Sequence, residues 1–440
     1  MSNFSAAPGE GKIQEIRLFS NYSGDLNLSD GFLEMVLYES ILDYSTRAHL
    51  SFVDSGYRDF PDGVAATEAD DINLVSGEVL EFTATDGLDR PIVCKGNNKL
   101  IVNSINSIDE KVNKNILSFD FHSPECITND FVKNRLVMRY EGKISDSVGM
   151  ILGGFTPKPK QIDPTLNEFV FLGNMEKPFY KIPWLAKRSV PDIAGAKGKL
   201  AGYFFYETFE DGTGSGGYKF KSIDALWMQG PKRRLIFNET EFIPPSYDAK
   251  IYSYSFDNSL NIDRLIKTGA FSQSQIKKFD FITNVYEVPE ELSDISRLKP
   301  DNMGGLEPPK IASDLDVWNN ITRISYTVND RGVLPPGTNL KEQLKFLDDL
   351  NFNAEEILRQ SYTRYNNIFA IKLSITIAGD FGIHAGDLLE CHFPEQSSKD
   401  NKIISNKKSG LYMVCDVAHR IHQTGYYTTL NLIRESIYKK

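Results

Sequence analysis

Histidine and cysteine are the residue types best able to hold a metal or act as a nucleophile, and here they fall late in the chain. Four of the six histidines, His384, His392, His419 and His422, lie near Cys391 and Cys415. A metal site would need several of them to converge. Cys391 and His392 are adjacent, so on a strand they project to opposite faces, and so do His419 and His422. Surface histidines are therefore expected, and no metal. The chain has neither a His-Glu-x-x-His pair nor a Gly-x-Ser-x-Gly elbow. The glycine-rich run Gly212 to Gly217 lacks a closing Lys-Ser/Thr pair and leads into a strand pattern rather than a helix. It reads as a hairpin loop, and Gly195 to Gly202 likewise lacks the phosphate-loop pattern. The carboxylates are numerous but scattered, and no pair stands out as a general acid and base. No catalytic, cofactor-binding or metal residue is expected.

Composition narrows the remaining classes. The 440 residues carry a net charge of −10, with 41% hydrophobic and 25% charged residues, as in an ordinary globular protein. Lys232, Arg233 and Arg234 form the one small basic knot and read as a solvated loop. Sequence-independent nucleic-acid binding needs clustered Lys and Arg to displace counterions from phosphates, so nucleic-acid binding is not expected. Four cysteines are too few for a disulfide framework, and three lie in strand-like runs, so buried free thiols are expected. The start has no charged or apolar leader pattern, and no apolar run approaches the ~20 residues of a membrane helix. Aromatic content of 12% suits sheets and packed interfaces.

The elements that would position any site are mostly strands. Ile371 to Ala378 alternates apolar and polar residues, the period of a half-buried strand. Gly379-Asp380 breaks it, and Ala385-Gly386-Asp387 turns into Leu388 to Phe393. Leu411 to Val417 and Tyr426 to Ile433 complete a compact antiparallel unit reaching to Ile437. The first third reads similarly, with strands over Ile13 to Phe19, Leu42 to Phe52, Ser76 to Phe82, Pro91 to Lys95, Leu100 to Ile108 and Asn115 to Phe121. Residues 1–11 read as an arm and 57–71 as an acidic loop. Ser76 to Glu81 matches Ala385 to Glu390, and Ser118 to Phe121 matches Thr429 to Leu432, in the same order and 42 against 44 residues apart. A duplicated β-domain is the expectation.

The middle differs in texture. Short helices are expected at Ile144 to Leu152 and Ile262 to Lys267, a linker at Pro157 to Pro164, and a packing anchor at Pro183-Trp184-Leu185. A hairpin is expected from Ala201 to Thr208 and Tyr218 to Asp224. Further strands are expected at Ile251 to Phe256 and Lys278 to Val288, an acidic connection at 289–309, and a helix over 354–365.

Several of these segments resemble the baseplate hub proteins of contractile-tailed bacteriophages. Arg364-Tyr365-Asn366-Asn367-Ile368-Phe369 running into the Ile371 strand carries the resemblance, as do Ala378-Gly379-Asp380 and Ser409-Gly410-Leu411-Tyr412. So does the ending Leu430-Asn431-Leu432-Ile433-Arg434. Pro183 to Ser189, Gly202 to Glu207 and Phe220 to Asp224 are similar to the middle of the T-even-like hubs, a family related to type VI secretion spike hubs. The resemblance covers about residues 12 to 437, and its motifs specify no chemistry.

The family implies a mainly β (α+β) fold with two similar antiparallel β-barrel tube domains and inserted α/β elements. The implied division is tube domain 1 at 12–128, an inserted region at 129–245 on the outer side, tube domain 2 at 246–290 with 367–437, and a second insertion at 291–366. It implies a non-enzymatic homotrimer with pseudo-sixfold symmetry joining the hexameric tail tube protein to the central spike protein, beside other baseplate wedge components. No cofactor and no membrane contact is implied, and DNA would pass through the lumen without specific binding. The location implied is the virion tail baseplate, made and assembled in the host bacterial cytoplasm. Two other classes remain open from the residues: a tail-associated carbohydrate-active enzyme of lysozyme or depolymerase type, and a receptor-binding adhesin module.

Overall fold

A computed structural model describes residues 11–435 except for internal stretches, chiefly 55–73, 193–199, 288–311, 340–350 and 396–404. The arm at 1–11 (save its last residue), the loop at 57–71, most of Gly195 to Gly202 and the connection at 289–309 lie outside the described residues. The fold is mainly β.

The first unit comprises β1 (Lys12–Phe19), β2 (Asp25–Asn27), β3 (Phe32–Ser40), β4 (Arg47–Asp54), β5 (Val79–Thr85), β6 (Pro91–Cys94), β7 (Leu100–Lys111) and β8 (Lys114–His122). The middle holds β9 (Arg139–Tyr140), β10 (Lys160–Ile162), β11 (Phe171–Leu172), β12 (Tyr203–Thr208) and β13 (Gly217–Ser222). The second unit begins with β14 (Arg233–Ile236) and β15 (Ala249–Asp257). It resumes, after β16 (Gln273–Asp280), β17 (Val285–Glu287) and β18 (Ile321–Val328), with β19 (Ile371–Ala378), β20 (Leu388–His392), β21 (Gly410–His422) and β22 (Gly425–Arg434).

The two β units share one path. In the first, the neighbours run β3-β4-β8-β7-β5; in the second, β15-β19-β22-β21-β20, with every pair antiparallel. Their irregularities coincide as well. Leu33 is the extra residue between the Phe32–Phe52 and Glu34–Ser51 pairs, and Tyr252 is the extra residue between Ile251–Ile377 and Ser253–Thr376. Asn103 bulges between Val102–Phe121 and Ser104–Asp120, as Cys415 does between Val414–Leu432 and Asp416–Asn431. A bulge adds local twist and pins register, so two matched bulges fix the same curvature in both sheets.

The turn before β5 and β20 is also the same object twice. Gly77 (φ 91°) and Gly386 (φ 88°) take the left-handed backbone that glycine adopts without a Cβ clash. The Gly77 N–H donates to Val102 O and the Gly386 N–H to Val414 O, both at 2.8 Å. One acidic side chain then reaches three residues back in each copy. Glu78 accepts from the Val75 N–H and Asp387 from the His384 N–H, again both at 2.8 Å.

The units part company at the sixth strand. β14 lies parallel to both β20 and β15 and closes the second unit into a six-stranded barrel. In the first unit β1 is antiparallel to β5 with β2 at the rim, and among the described residues nothing bridges back to β3. Instead β3 pairs with β21, so a single sheet runs from one unit into the other. Each unit keeps its own core. Leu50, Phe82, Phe119 and Phe121 fill the first, and Ile375, Ile377, Leu430 and Leu432 the second. Burying each such side chain contributes about 1.5–3 kcal/mol.

Several sequence expectations change here. The long strand placed at Leu42 to Phe52 starts only at Arg47. The chain reverses over 41–46, where Ser40 Oγ accepts the Leu42 N–H at 3.1 Å and Leu42 is 61% exposed. The strand before it, β3, was not anticipated. Arg233 and Arg234, expected in a solvated loop within the inserted region, lie in the closing strand, with Leu235 in the barrel core. Within the stretch expected as one strand at Lys278 to Val288, the described residues are the end of β16, the turn residue Asn284 and β17, and these strands form a separate three-stranded sheet with β18 rather than completing the barrel. The linker at Pro157 to Pro164 holds β10, paired with β13, and the anchor around Pro183 is a helix, Pro178–Ala186. The expected hairpin forms between β12 and β13, but its far end, Ile223–Met228, is helical. The helix expected at 354–365 spans Ala354–Asn367.

Candidate functional site

The densest buried chemistry lies where the two β units and the β12–β13 hairpin meet. Met35, Leu37 and Glu39 alternate along β3 toward the core, so Glu39 puts a carboxylate where the pattern calls for an apolar side chain. Facing it is the loop after β19. Asp380 caps that loop by accepting the Gly382 N–H at 2.9 Å, and the Asp387 turn presents His384 inward.

Glu39 is fully engaged. Its Oε1 stands 2.9 Å from His384 Nδ1 and accepts the Phe209 N–H at 2.8 Å, and its Oε2 accepts the Ala385 N–H at 3.0 Å. His384 Nε2 lies 3.5 Å from Asp211 Oδ2 in the hairpin loop. Burial alone would raise the Glu39 carboxyl, but the His384 charge and hydrogen bond, His419 and the Ala385 N–H outweigh it and hold Glu39 at about 2. Burial alone would lower His384, but Glu39 and Asp211 raise it to about 9. His419 lacks such a partner. Burial lowers it to about 4, with Nδ1 3.0 Å from Thr428 Oγ1 and its ring against Phe381.

A second chain of charges runs alongside. Asp86, in the β5–β6 turn, accepts the Phe381 N–H at 2.9 Å and binds Arg90 Nε at 2.9 Å. Arg90 Nη1 reaches Asp380 Oδ1 at 2.6 Å, and Arg233 Nε reaches Asp380 Oδ2 at 2.9 Å. This ties the β5–β6 hairpin, the loop after β19 and the closing strand β14 together.

The middle region is fixed to the first unit by a buried lysine. Lys158 Nζ lies 2.8 Å from Glu125 Oε2 and 2.5 Å from Glu207 Oε1, while Glu207 Oε2 accepts the Thr46 N–H at 2.9 Å. Burial alone would lower Lys158, and the two carboxylates reverse that and raise it. Helix Ala354–Asn367 is pinned by Arg364, whose Nη2 meets Asp224 Oδ1 at 2.6 Å and whose Nη1 donates to the Leu200 and Ala201 carbonyls.

These groups hold backbone and one another; each carboxylate already has a cation or an N–H. A cleft of ≈ 290 Å³ is lined by residues of both strands of the β3–β21 seam, and its carboxylate at Asp416 is occupied in the same way. Asp416 there accepts from Ser40 Oγ at 2.6 Å and from Asn431 Nδ2 at 3.1 Å. Among the described residues no group of three His, Cys, Asp or Glu is placed to hold a metal ion.

The late histidines are not all surface groups, as the sequence suggested. His384 and His419 are 1% and 0% exposed, and only His392 and His422 lie toward solvent. His384 shares no site with the cysteines. Cys94, Cys391 and Cys415 are buried with their thiols pushed up by burial, and Cys126 is half-buried. Glu39 was missed because β3 was missed; the available signal was a carboxylate on the apolar face of an alternating run.

No family model matches the sequence, and no curated protein sequence matches it. Among solved structures, the chain is similar to a tail protein from Neisseria meningitidis at 10% identity, covering 96% of this chain and 97% of that one, with a TM-score of 0.49. It is similar to the 43 kDa tail protein of prophage MuSo2 from Shewanella oneidensis at 8% identity, with the same coverage and TM-score. An Escherichia coli component of the type VI secretion system is similar at 9% identity, over 98% of this chain and 79% of that chain, with a TM-score of 0.41.

Proposed function

We propose that this chain is a structural protein of a contractile phage tail, the baseplate hub that joins the tail tube to the central spike as a trimer. One observation carries the reading: a single chain holds two β units with the same strand path, the same two bulges and the same glycine turn, joined edge to edge. Three such chains present six near-equivalent units. That ring fits a threefold spike on one side and a hexameric tube on the other, which explains why a duplicated domain would be kept. The sequence motifs that resemble hub proteins point the same way. In this reading the two units are tube domains, the segments between them are insertions on the outer side, and the partners are the tube protein, the spike protein and baseplate wedge components.

The role is mechanical rather than catalytic. The buried charges described above join elements far apart in the chain and leave their carboxylates occupied. A rigid joint under the load of tail contraction is what such contacts supply.

The test is a native mass measurement with negative-stain imaging of the purified protein. A mass of three chains and a ring of six lobes is expected. A monomer, or a protein that cleaves peptidoglycan or polysaccharide, overturns the reading.

A further inference from the structure

The seam inside the chain has two halves, and each half has a counterpart whose edge is largely without a strand partner among the described residues. β21 pairs with β20 through Gly410 to Met413, and along the same edge Asp416 to His422 takes β3. β7 is its counterpart, matched through the shared bulge at Asn103 and Cys415. It pairs with β5 only through Leu100 and Ile101, and among the described residues no strand lies against the rest of that edge. β15 is the counterpart of β3. It pairs with β14 only at Ala249 and Lys250, and beyond them its outer edge has no strand partner among the described residues.

We infer that the β15 edge of one chain pairs antiparallel with the β7 edge of a second copy of this chain, repeating between chains the β3–β21 seam within each chain. The inference rests on the ring reading above and names the contact that builds the ring. An unpaired strand edge is a template for another strand, and the strand that fits this one is already displayed by the same molecule. The contact joins two different edges, so it is head-to-tail, the type that builds a ring where the rotation closes, as the ring reading above requires.

A second, independent observation marks the covered area. Val75 holds the position in the first unit that His384 holds in the second, since each donates its N–H to the acidic residue of the matched turn. His384 is buried beside the in-chain seam, at 1% exposure, whereas Val75 is 62% exposed. The missing cover over Val75 is where the neighbouring chain would lie.

The in-chain register sets the register between chains. Ala418 faces Tyr38 and His419 faces Leu37. Carried across through the matched pairings, Asn106 faces Asp257 and Ser107 faces Phe256. Directly opposed residues on an antiparallel pair lie about 4.5–5.5 Å apart at Cα, within reach of a disulfide.

The experiment is oxidative cross-linking of the full chain carrying Asn106→Cys and Asp257→Cys, both at exposed positions. Disulfide-linked dimers and trimers are expected on a non-reducing gel. A mixture of the two single variants should stop at dimers, and each single variant alone should give none. Asn106→Cys paired with Ser255→Cys, out of register, should cross-link at least about tenfold more slowly. A trimeric ring by mass with no cross-link, or with equal cross-linking at the shifted position, overturns the seam and leaves the ring standing. A monomer at every concentration without cross-links overturns the ring and the seam with it.

Discussion

Replacing Glu39 by glutamine removes the charge that holds the junction and should change both the height and the shape of the stability-against-pH curve. Three groups set that shape. His384 binds its proton more tightly in the folded chain, at about 9 against 6.5, so its stabilisation is complete below pH 6.5 and is lost as pH rises to 9. Glu39, at about 2 against 4.5, stabilises above pH 4.5 and loses that as pH falls to 2. His419, at about 4 against 6.5, is buried neutral, so stability also falls as pH drops from 6.5 toward 4. The maximum therefore lies near pH 6.5 for these groups. Each tenfold change in proton affinity is worth about 1.4 kcal/mol, so either outer limb of the His384 and His419 titrations is worth about 3 kcal/mol. Glu39 and His384 report one interaction from its two ends, which counts once.

In Glu39→Gln, His384 keeps Asp211 beside it but also faces His419 and the Lys219 ammonium, which itself lowers His384. One of the Phe209 and Ala385 N–H groups then meets an amide N–H in place of an oxygen. Breaking a buried charge pair from one side costs about 3–5 kcal/mol near neutral pH. The alkaline limb should flatten, because His384 then loses the larger of its two carboxylate partners and gives up its proton more readily. Urea midpoints between about pH 5 and pH 9, with an imidazole NMR titration of His384, read both effects. A cost below about 1 kcal/mol, or an alkaline limb as steep as in the unaltered protein, would refute the reasoning.

Two further substitutions read the matched turn and the buried lysine. Gly77→Ala and Gly386→Ala meet the same left-handed backbone and share its cost of about 1–2 kcal/mol. A Cβ at Gly386 would sit 2.3 Å from Tyr206 Oη, while at Gly77 its nearest neighbour is Asn21 Nδ2 at 3.5 Å. Gly386→Ala should be the worse by about 1–3 kcal/mol in urea unfolding, and equal losses would contradict the contact. Lys158→Met leaves Glu125 and Glu207 facing each other without a cation. It should lower stability by about 3–5 kcal/mol, largely restored by also changing both glutamates to glutamine, and a neutral single substitution would discount the triad.

The sequence was most legible where one face of a strand is buried and the other is wet. Ile371 to Ala378 alternates cleanly because Ile371, Leu373, Ile375 and Ile377 face the barrel and Lys372 faces out. The paired turns were legible because Gly77 and Gly386 are each followed by an acid that the turn uses. β3 was illegible because Met35, Val36 and Leu37 are all buried, Met35 and Leu37 in the core and Val36 on the opposite face, which erases the period of two. β14 was hidden by its two arginines, which serve Asp380 and Glu390 at the barrel rim. Burial of His384 depends on Glu39, 345 residues earlier, and no local pattern carries that pairing.

The contrast between the two seams follows from what each must do. A strand pair that slips by one residue turns every side chain to the opposite face. Within the chain a slip of β3 on β21 would carry Glu39 away from His384 and strand two buried charges, so the cluster fixes register at the cost of pH sensitivity. The seam between chains would have Val75 in the place of His384, with no imidazole at that position to titrate. Its pairing would then depend on main-chain bonds and apolar cover, which change little between about pH 5 and pH 9. Acid or alkali should therefore loosen the joint inside each chain before it parts one chain from the next. A ring that dissociates into folded monomers at mild pH would contradict that order.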